Sequence, residues 1–126
     1  MSKLERELKR GTLELLLLRI LADEPTYGYE LLSRLAARTG GGFGLKEGTL
    51  YPVLYRLEDA GLVEPKWEQP DRSSGRGVPR KVYKLTEAGE GRVSELTDAW
   101  RSFSAAVEAV LAGISSPSTA PEGGES

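Results

Sequence analysis

Cysteine and histidine are both absent from the 126 residues of this chain. Without a thiolate or an imidazole the chain has no disulfide bonds, no zinc site built on sulfur or ring nitrogen, and no serine–histidine catalytic triad. The composition therefore predicts a protein that is not an enzyme and that carries no metal ion or other cofactor.

Membrane signals and a strong excess of one charge are also missing. Met1–Arg6 lacks the pattern of a signal peptide, and no apolar run approaches the roughly 18 residues that a membrane span requires. The sequence thus predicts a soluble, cytoplasmic protein. With 17 basic and 19 acidic residues the net charge is −2, so any nucleic-acid site must be a local patch.

The most informative stretch is Thr49–Gly61. Its residues Leu50, Val53, Leu54 and Leu57 recur at the spacing of one helical face, which predicts a helix with that face buried. Hydroxyl, aromatic and guanidinium groups on the opposite face are those that reach phosphates and base edges in a DNA groove. They belong to Thr49, Tyr51, Tyr55 and Arg56, and Pro52 lies on the same face. A candidate recognition helix and a plain surface helix are both open at this point, and Pro52 predicts either a start near Thr49 or a kink.

Two helices are predicted before this stretch. Thr12–Ala22 is apolar on all sides, which indicates a central, buried helix that ends before Pro25. Whether the segment before Gly11 continues the same helix is left open. Tyr27–Thr39 is a shorter amphipathic helix with Thr26 as its expected N-cap and with Tyr29 expected in the core. The glycine-rich segment 40–44 then marks a turn.

A basic β-hairpin is predicted after Gly61. Leu62–Gln69 and Arg80–Leu85 have the composition of strands, and the turn-rich Pro70–Pro79 joins them. Trp67 is expected to anchor the hairpin to the helices. Between residues 65 and 84, six basic residues face two acidic ones, which leaves a local excess of four positive charges. The basic residues are Lys66, Arg72, Arg76, Arg80, Lys81 and Lys84.

The last helix, capped by Thr86, carries an apolar seam with heptad spacing. Its members are Val93, Leu96, Trp100, Phe103, Val107, Val110 and Ile114. Such a seam requires a partner helix. A second copy of the chain is the preferred partner, and packing within one chain is the alternative. The polar composition of Ser115–Ser126 predicts disorder.

This order of elements predicts the fold class. Three helices and a two-stranded basic hairpin form a winged helix-turn-helix, a mainly α fold with a small β-hairpin. In that fold the third helix enters the major groove and the hairpin reaches a flanking phosphate or minor groove. The expected domains are a DNA-binding domain over residues 1–85, a C-terminal dimerisation helix over 86–114 and a disordered tail over 115–126.

The chain resembles the PadR family of transcriptional regulators, and its single terminal helix resembles the short subgroup of that family. The matching segments are Gly11–Leu16, Tyr27–Leu31, Glu47–Leu54, Arg56–Glu58, Gly61–Val63 and Arg80–Gly89. The resemblance runs from about residue 8 to residue 104. It implies a homodimeric winged-helix repressor whose DNA affinity is relieved by a small molecule or a stress signal.

Facing direction and the resemblance together indicate the DNA-binding residues. On the helices they are Tyr27, Lys46, Thr49, Tyr51, Pro52, Tyr55 and Arg56, and in the hairpin they are Arg72, Arg76, Arg80 and Lys81. Arg76 lies between two glycines and is the best candidate for insertion in a minor groove.

Trp100 has a second role by resemblance. In the multidrug-binding branch of the family, a tryptophan at the matching point pairs with its dimer mate and stacks flat aromatic compounds. The resemblance therefore implies ligand binding at Trp100, with Leu96, Phe103 and Ser104 beside it. That branch has an acidic residue one turn later, where this chain has Ser104, so a preference for cations is not implied. The alternative is that Trp100 only fills the dimer interface.

Two other functions remain open on sequence grounds. Winged helices also serve as protein-interaction adapters that do not bind DNA, and the tyrosine-rich third helix could dock a protein partner. A small-molecule-binding protein without a DNA role is the third reading. Salt-dependent retention on DNA distinguishes the leading hypothesis, a DNA-binding repressor, from both of these alternatives.

Overall fold

The computed structural model describes residues 12–69 and 79–115, with side chains described through residue 113. The elements are α1 (Leu13–Asp23), β1 (Thr26–Tyr27), α2 (Gly28–Arg38), α3 (Glu47–Asp59), β2 (Val63–Glu68), β3 (Arg80–Leu85) and α4 (Glu87–Ser115). The four helices and the small antiparallel sheet of these described ranges confirm the predicted mainly α, winged helix-turn-helix class. The segment through Gly11, most of the hairpin connection and the tail beyond Ser115 lie outside the described residues.

The core forms where three helices bring their leucines together. On α1 the buried side chains include Leu17 and Leu18, both with no exposed surface, in agreement with a central helix. Leu31 of α2 and Leu50 and Leu54 of α3 are equally buried. Each such side chain contributes about 1.5–3 kcal/mol through burial, so this cluster holds α3 in place.

The sheet has a third strand that the sequence did not predict. Its order is β1–β3–β2, and all pairs are antiparallel. Thr26 pairs with Tyr83 and Tyr27 with Val82. The prediction that Thr26 caps the second helix was therefore wrong: Thr26 is a strand residue, only 6% exposed, and α2 begins at Gly28. A two-residue strand carries no periodicity of its own, and only the edge of β3 makes it form.

Helix α3 begins two residues before the expected start at Thr49. Lys46 is its N-cap, and the Lys46 carbonyl accepts hydrogen bonds from the amides of Thr49 (2.9 Å) and Leu50 (3.0 Å). Pro52 lies inside the helix. The helix ends at Asp59, Ala60 is its C-cap, and Gly61 follows with a φ of 76°, in the left-handed region that glycine favours. This turn leads the chain directly into β2.

Thr86 caps α4, as its position predicted. Its hydroxyl accepts a hydrogen bond from the Gly89 amide (3.0 Å) and donates one to the Gly61 carbonyl (2.7 Å). One side chain thus joins the start of α4 to the turn after α3. The described residues divide into two compact units, one ending at Val93 and the other beginning at Ser94.

Within the described ranges, none of the helices combines the length and the apolar character that a membrane span requires.

Candidate nucleic-acid interface

Helix α3 has one buried and one exposed side, as the spacing predicted. Leu50, Val53, Leu54 and Leu57 are at most 6% exposed. Four of the predicted site residues on this helix lie at the surface: Thr49, Pro52, Tyr55 and Arg56. Lys46, the residue before the first turn, is exposed as well. The helix therefore presents a hydroxyl, an aromatic ring and two cations to the outside while its leucines hold it to the core.

Tyr51 is less accessible than its neighbours, because its ring packs against the start of α2. A Cβ atom added to Gly28 would lie 2.7 Å from Cζ of Tyr51, so only glycine leaves room for the ring at this distance. Burial raises the pKa of the Tyr51 hydroxyl, and the charge of Glu47 and the neighbouring Tyr55 raise it further. The hydroxyl therefore remains a neutral hydrogen-bond donor at physiological pH.

Two tyrosines of the candidate site form a pair on α3. The ring centroids of Tyr51 and Tyr55 are 6.2 Å apart, with a tilt of 38° between the planes. Tyr55 is 50% exposed, so it is the member that reaches outward.

Tyr27 and Arg80 meet across the sheet. The guanidinium carbon of Arg80 lies 4.7 Å from the centroid of the Tyr27 ring, a cation–π contact. The strand register explains this contact, since Tyr27 pairs with Val82 and Arg80 is two residues away on the same face of β3. Arg80 is exposed, so its charge is available to a phosphate while its guanidinium lies over the Tyr27 ring.

Lys81 points the other way, toward α3. Its ammonium nitrogen lies 3.5 Å from Oε1 of Glu58 and 5.3 Å from the Tyr55 ring centroid. The Tyr83 ring is 5.4 Å from the same nitrogen. Burial would lower the pKa of Lys81, but the electrostatic pull of Tyr83 and Glu58 outweighs it and raises that pKa. The ammonium group is thus held in the charged form between the sheet and α3.

Glu58 and Tyr83 are site residues that the sequence reasoning missed. Glu58 lies on α3 one residue before its end, and Tyr83 is only 1% exposed. The signal was present: Lys81 and Tyr83 alternate with Val82 along β3, so they had to share one face of the sheet. Only the tertiary structure shows which helix packs against that face.

Two aromatic residues contradict their predicted packing. Tyr29 was expected in the core but is 62% exposed, because the first turn of α2 buries Gly28 and Leu31 instead. Trp67 was expected to anchor the hairpin but is also 62% exposed. Trp67 pairs with Lys81 one residue before the end of β2, and its side chain lies outside the core.

The remaining predicted hairpin residues lie elsewhere. Arg72 and Arg76 are outside the described residues. Lys66 and Lys84 are exposed on the two strands, and Lys84 is the cross-strand partner of Glu64.

The described apolar seam of the terminal helix is partly buried at its start and exposed from Trp100 onward. Val93 and Leu96 are partly buried, whereas Trp100, Phe103, Val107 and Val110 are 45%, 64%, 40% and 71% exposed. Leu111, which the heptad pattern omitted, is 47% exposed. The rings of Trp100 and Phe103 lie 6.5 Å apart at 46°. Ser104 is partly buried and donates a hydrogen bond to the Arg101 carbonyl (3.3 Å). The side chain of Ile114 lies outside the described part.

A family model agrees with this architecture. The model of the transcriptional regulator PadR-like family matches residues 17–95, which span α1 through the first turns of α4 and therefore the whole candidate interface. The chain belongs to the PadR family. This match confirms the family that the sequence motifs indicated.

Individual relatives support the assignment. This PadR protein is 34% identical over 90 residues to a transcriptional regulator of Mycobacterium tuberculosis, a match that covers 71% of this chain and 77% of the relative. A PadR family transcriptional regulator of Eggerthella lenta has a solved structure that is 36% identical, with a TM-score of 0.71 over 83% of this chain and 86% of that one. A PadR-like regulator of Bacillus cereus is 31% identical, with a TM-score of 0.70 and coverage of 83% and 96%.

Membership of the PadR family sets the class of function. PadR proteins are transcriptional regulators that act by binding DNA, and they are not enzymes. The chain is accordingly a DNA-binding transcriptional regulator.

Proposed function

We propose that this PadR protein is a homodimeric repressor that reads its operator with α3, and that a small molecule bound near Trp100 releases it from DNA. The observation that carries the DNA-binding part is the division of α3 into a buried leucine face and an exposed polar face. We call α3 the recognition helix, and we call β2, β3 and their connection the wing.

The proposed DNA contacts come from three places. The recognition helix contributes its exposed side chains and the Lys46 cation at its start, suited to base edges and phosphates in a major groove. Tyr27 and Arg80 contribute a stacked cation beside the helix. The connection of the wing contributes Arg72 and Arg76. The residues proposed to touch DNA are Tyr27, Lys46, Thr49, Tyr51, Pro52, Tyr55, Arg56, Arg72, Arg76 and Arg80, whereas Lys81, which the sequence also indicated, is paired with Glu58.

Local charge supports this surface despite the net charge of −2. Phosphate contacts act within a Debye length of about 8 Å, so acidic residues farther along the chain are screened. Residues 65–84 carry the local positive excess, and Lys81 belongs to the same basic strand.

Footprinting on the DNA upstream of the gene tests the proposal. We expect a protected, roughly palindromic site whose half-sites lie about one helical turn apart, with affinity that falls steeply as salt rises. Arg56→Ala should weaken binding about tenfold or more. Arg38→Ala is the matched control, because Arg38 is an exposed cation already paired with Asp23 at 2.8 Å. A protein that is not retained on DNA at low salt would instead fit an adapter.

The dimer is supported by the terminal helix. A seam of large apolar side chains at heptad spacing is exposed from Trp100 onward, and exposed seams of this kind pair with another helix. A second copy offers the same seam, and a twofold dimer would present two recognition helices to a palindromic operator. The proposed dimer residues are Val93, Leu96, Trp100, Phe103, Val107, Val110 and Ile114.

The effector is proposed to be a planar aromatic compound. Trp100 and Phe103 are exposed rings on one side of the helix, and two copies of Trp100 facing each other would form a slot for a flat ligand. Leu96 and Ser104 would complete its lining. Because a serine stands where an acid would attract a cation, neutral ligands should bind as well as cationic ones.

Tryptophan fluorescence tests the effector. The chain has two tryptophans, so Trp67→Phe leaves Trp100 as the single reporter. Neutral naphthalene and a naphthyl trimethylammonium probe should both quench it, and saturating probe should release the operator. Trp100→Phe should retain DNA binding and lose the release. Quenching without release would indicate a small-molecule-binding protein with no regulatory coupling.

A further inference from the structure

The wing and the recognition helix are joined through one lysine. Lys81 is the second residue of β3, and Glu58 lies in the last turn of the recognition helix. The side chains of Lys81 and Glu58 are only 29% and 31% exposed, so their 3.5 Å contact is partly shielded from solvent. An ion pair in such a setting is stronger than one at an open surface.

Two buried polar atoms at this pair lack a hydrogen-bond partner of standard geometry among the described residues. They are Oε1 of Glu58 and the hydroxyl of Tyr83. The Lys81 ammonium is a cation adjacent to both side chains. A shielded carboxylate that loses its counterion is left with an uncompensated charge, which is costly. Lys81 therefore neutralises the shielded carboxylate of Glu58 within the fold.

The other basic residues of β3, Arg80 and Lys84, have different surroundings from Lys81. Arg80 lies exposed over Tyr27, and Lys84 is exposed opposite Glu64. Tyr55, which reaches outward from the recognition helix, is at the same time 5.3 Å from the Lys81 nitrogen. Lys81 is thus the basic residue of β3 that contacts the recognition helix itself.

The geometry points to Lys81 as a positioning residue, which holds the wing against the recognition helix by pairing with Glu58, supports the Tyr55 side chain, and does not bind a DNA phosphate. This inference rests on the proposed function, since it concerns how the two DNA-contacting elements are held. Its consequence is that Lys81 affects affinity strongly while adding no counterion release of its own.

A double-mutant cycle with salt titration tests the inference. The variants are Lys81→Met, Glu58→Gln and the double variant, with operator affinity measured from low to physiological salt. Lys81→Met alone should weaken binding about tenfold, because it leaves Glu58 unpaired near the phosphates. The double variant should recover part of that loss. Its loss of operator affinity should therefore be about tenfold smaller than the product of the losses in the two single variants. Its salt slope should equal that of the wild type.

The matched control is the exposed cross-strand pair of Lys84 and Glu64. Lys84→Met, Glu64→Gln and their double variant remove one positive and one negative charge, as the test variants do, and their factors should multiply. Lys81→Gln serves as a second variant if the methionine lowers stability, and thermal unfolding is followed for every protein.

Two outcomes overturn the inference. If Lys81 binds a phosphate, the salt slope of the double variant falls by about 0.9 for each subunit, and the Lys81 and Glu58 factors simply multiply. This result would leave the proposed function standing. A wild-type protein that binds no DNA overturns the proposed function and the inference together.

Discussion

Gly28 and Tyr51 are in direct contact: the backbone at the start of α2 lies so close to the tyrosine ring of α3 that a Cβ atom on Gly28 would be 2.7 Å from Cζ. This contact sets the separation of the two helices at the candidate interface. It also places Tyr51 partly inside, beside the more exposed Tyr55.

Gly28→Ala should therefore destabilise the fold by about 1–3 kcal/mol through overpacking, or displace Tyr51. Urea unfolding measures the loss. Gly48→Ala is the control, because a Cβ atom there meets nothing within 4 Å, and it should be neutral or stabilising by up to about 1 kcal/mol. In the double variant with Tyr51→Ala, the cost of the added methyl should shrink. Strict additivity of the two changes would contradict a direct contact between the two residues.

Gly89 and Gly91 offer a second matched pair, both in the first turns of α4. A Cβ atom on Gly89 would collide with the carbonyl of Leu62 and lie 2.6 Å from Cδ1 of Leu85, whereas one on Gly91 meets nothing within 4 Å. Gly89→Ala should lower the melting temperature, since a backbone carbonyl cannot move aside. Gly91→Ala should raise stability by about 0.5–1 kcal/mol. Equal effects of the two substitutions would show that the start of α4 does not pack against Leu62 and Leu85.

Val107→Glu should disrupt the proposed dimer. Val107 is 40% exposed on the apolar seam, and two unpaired carboxylates in the interface should weaken association roughly a hundredfold or more. Ala105→Glu places the same charge on the opposite side of the helix and should leave the dimer intact. Sedimentation at micromolar concentration distinguishes the species. A wild-type protein that sediments as a monomer would refute the dimer.

Asp23 should stabilise the fold in a pH-dependent manner. A hydrogen bond from Arg19 (2.7 Å) lowers the pKa of Asp23 below its usual 3.8, against a smaller opposing effect of burial, and Arg38 lowers it further. A lowered pKa means that the contribution is present above pH 3.8 and disappears as the pH falls through the folded-state value.

Comparing wild type with Asp23→Asn from about pH 6 to about pH 2 checks this effect. The stability difference between the two proteins should shrink with acidification. Because these groups are exposed, about 1 M salt should also reduce it at the upper end of this range. A difference that is constant across this range would assign the effect of the substitution to something other than ionisation.

Hydrophobic periodicity and the local chemistry of turns and caps were enough to predict most of the helices and strands of this protein. The leucine spacing of α3 determined its buried face, the composition of residues 62–85 determined the hairpin, and Thr86 marked the start of α4. These features depend on contacts within one element or on burial of one side, so they leave a pattern along the chain.

Only the tertiary structure decided which side chains meet across elements. The two-residue strand at Thr26 forms because β3 has a free edge, the Gly28 contact exists because α2 and α3 approach closely, and Lys81 turns to Glu58 because the sheet packs against α3. Such contacts join residues that are tens of positions apart, and no local periodicity encodes them. Exposure of Tyr29 and Trp67 was missed for the same reason, since an aromatic ring is buried only where another element arrives to cover it.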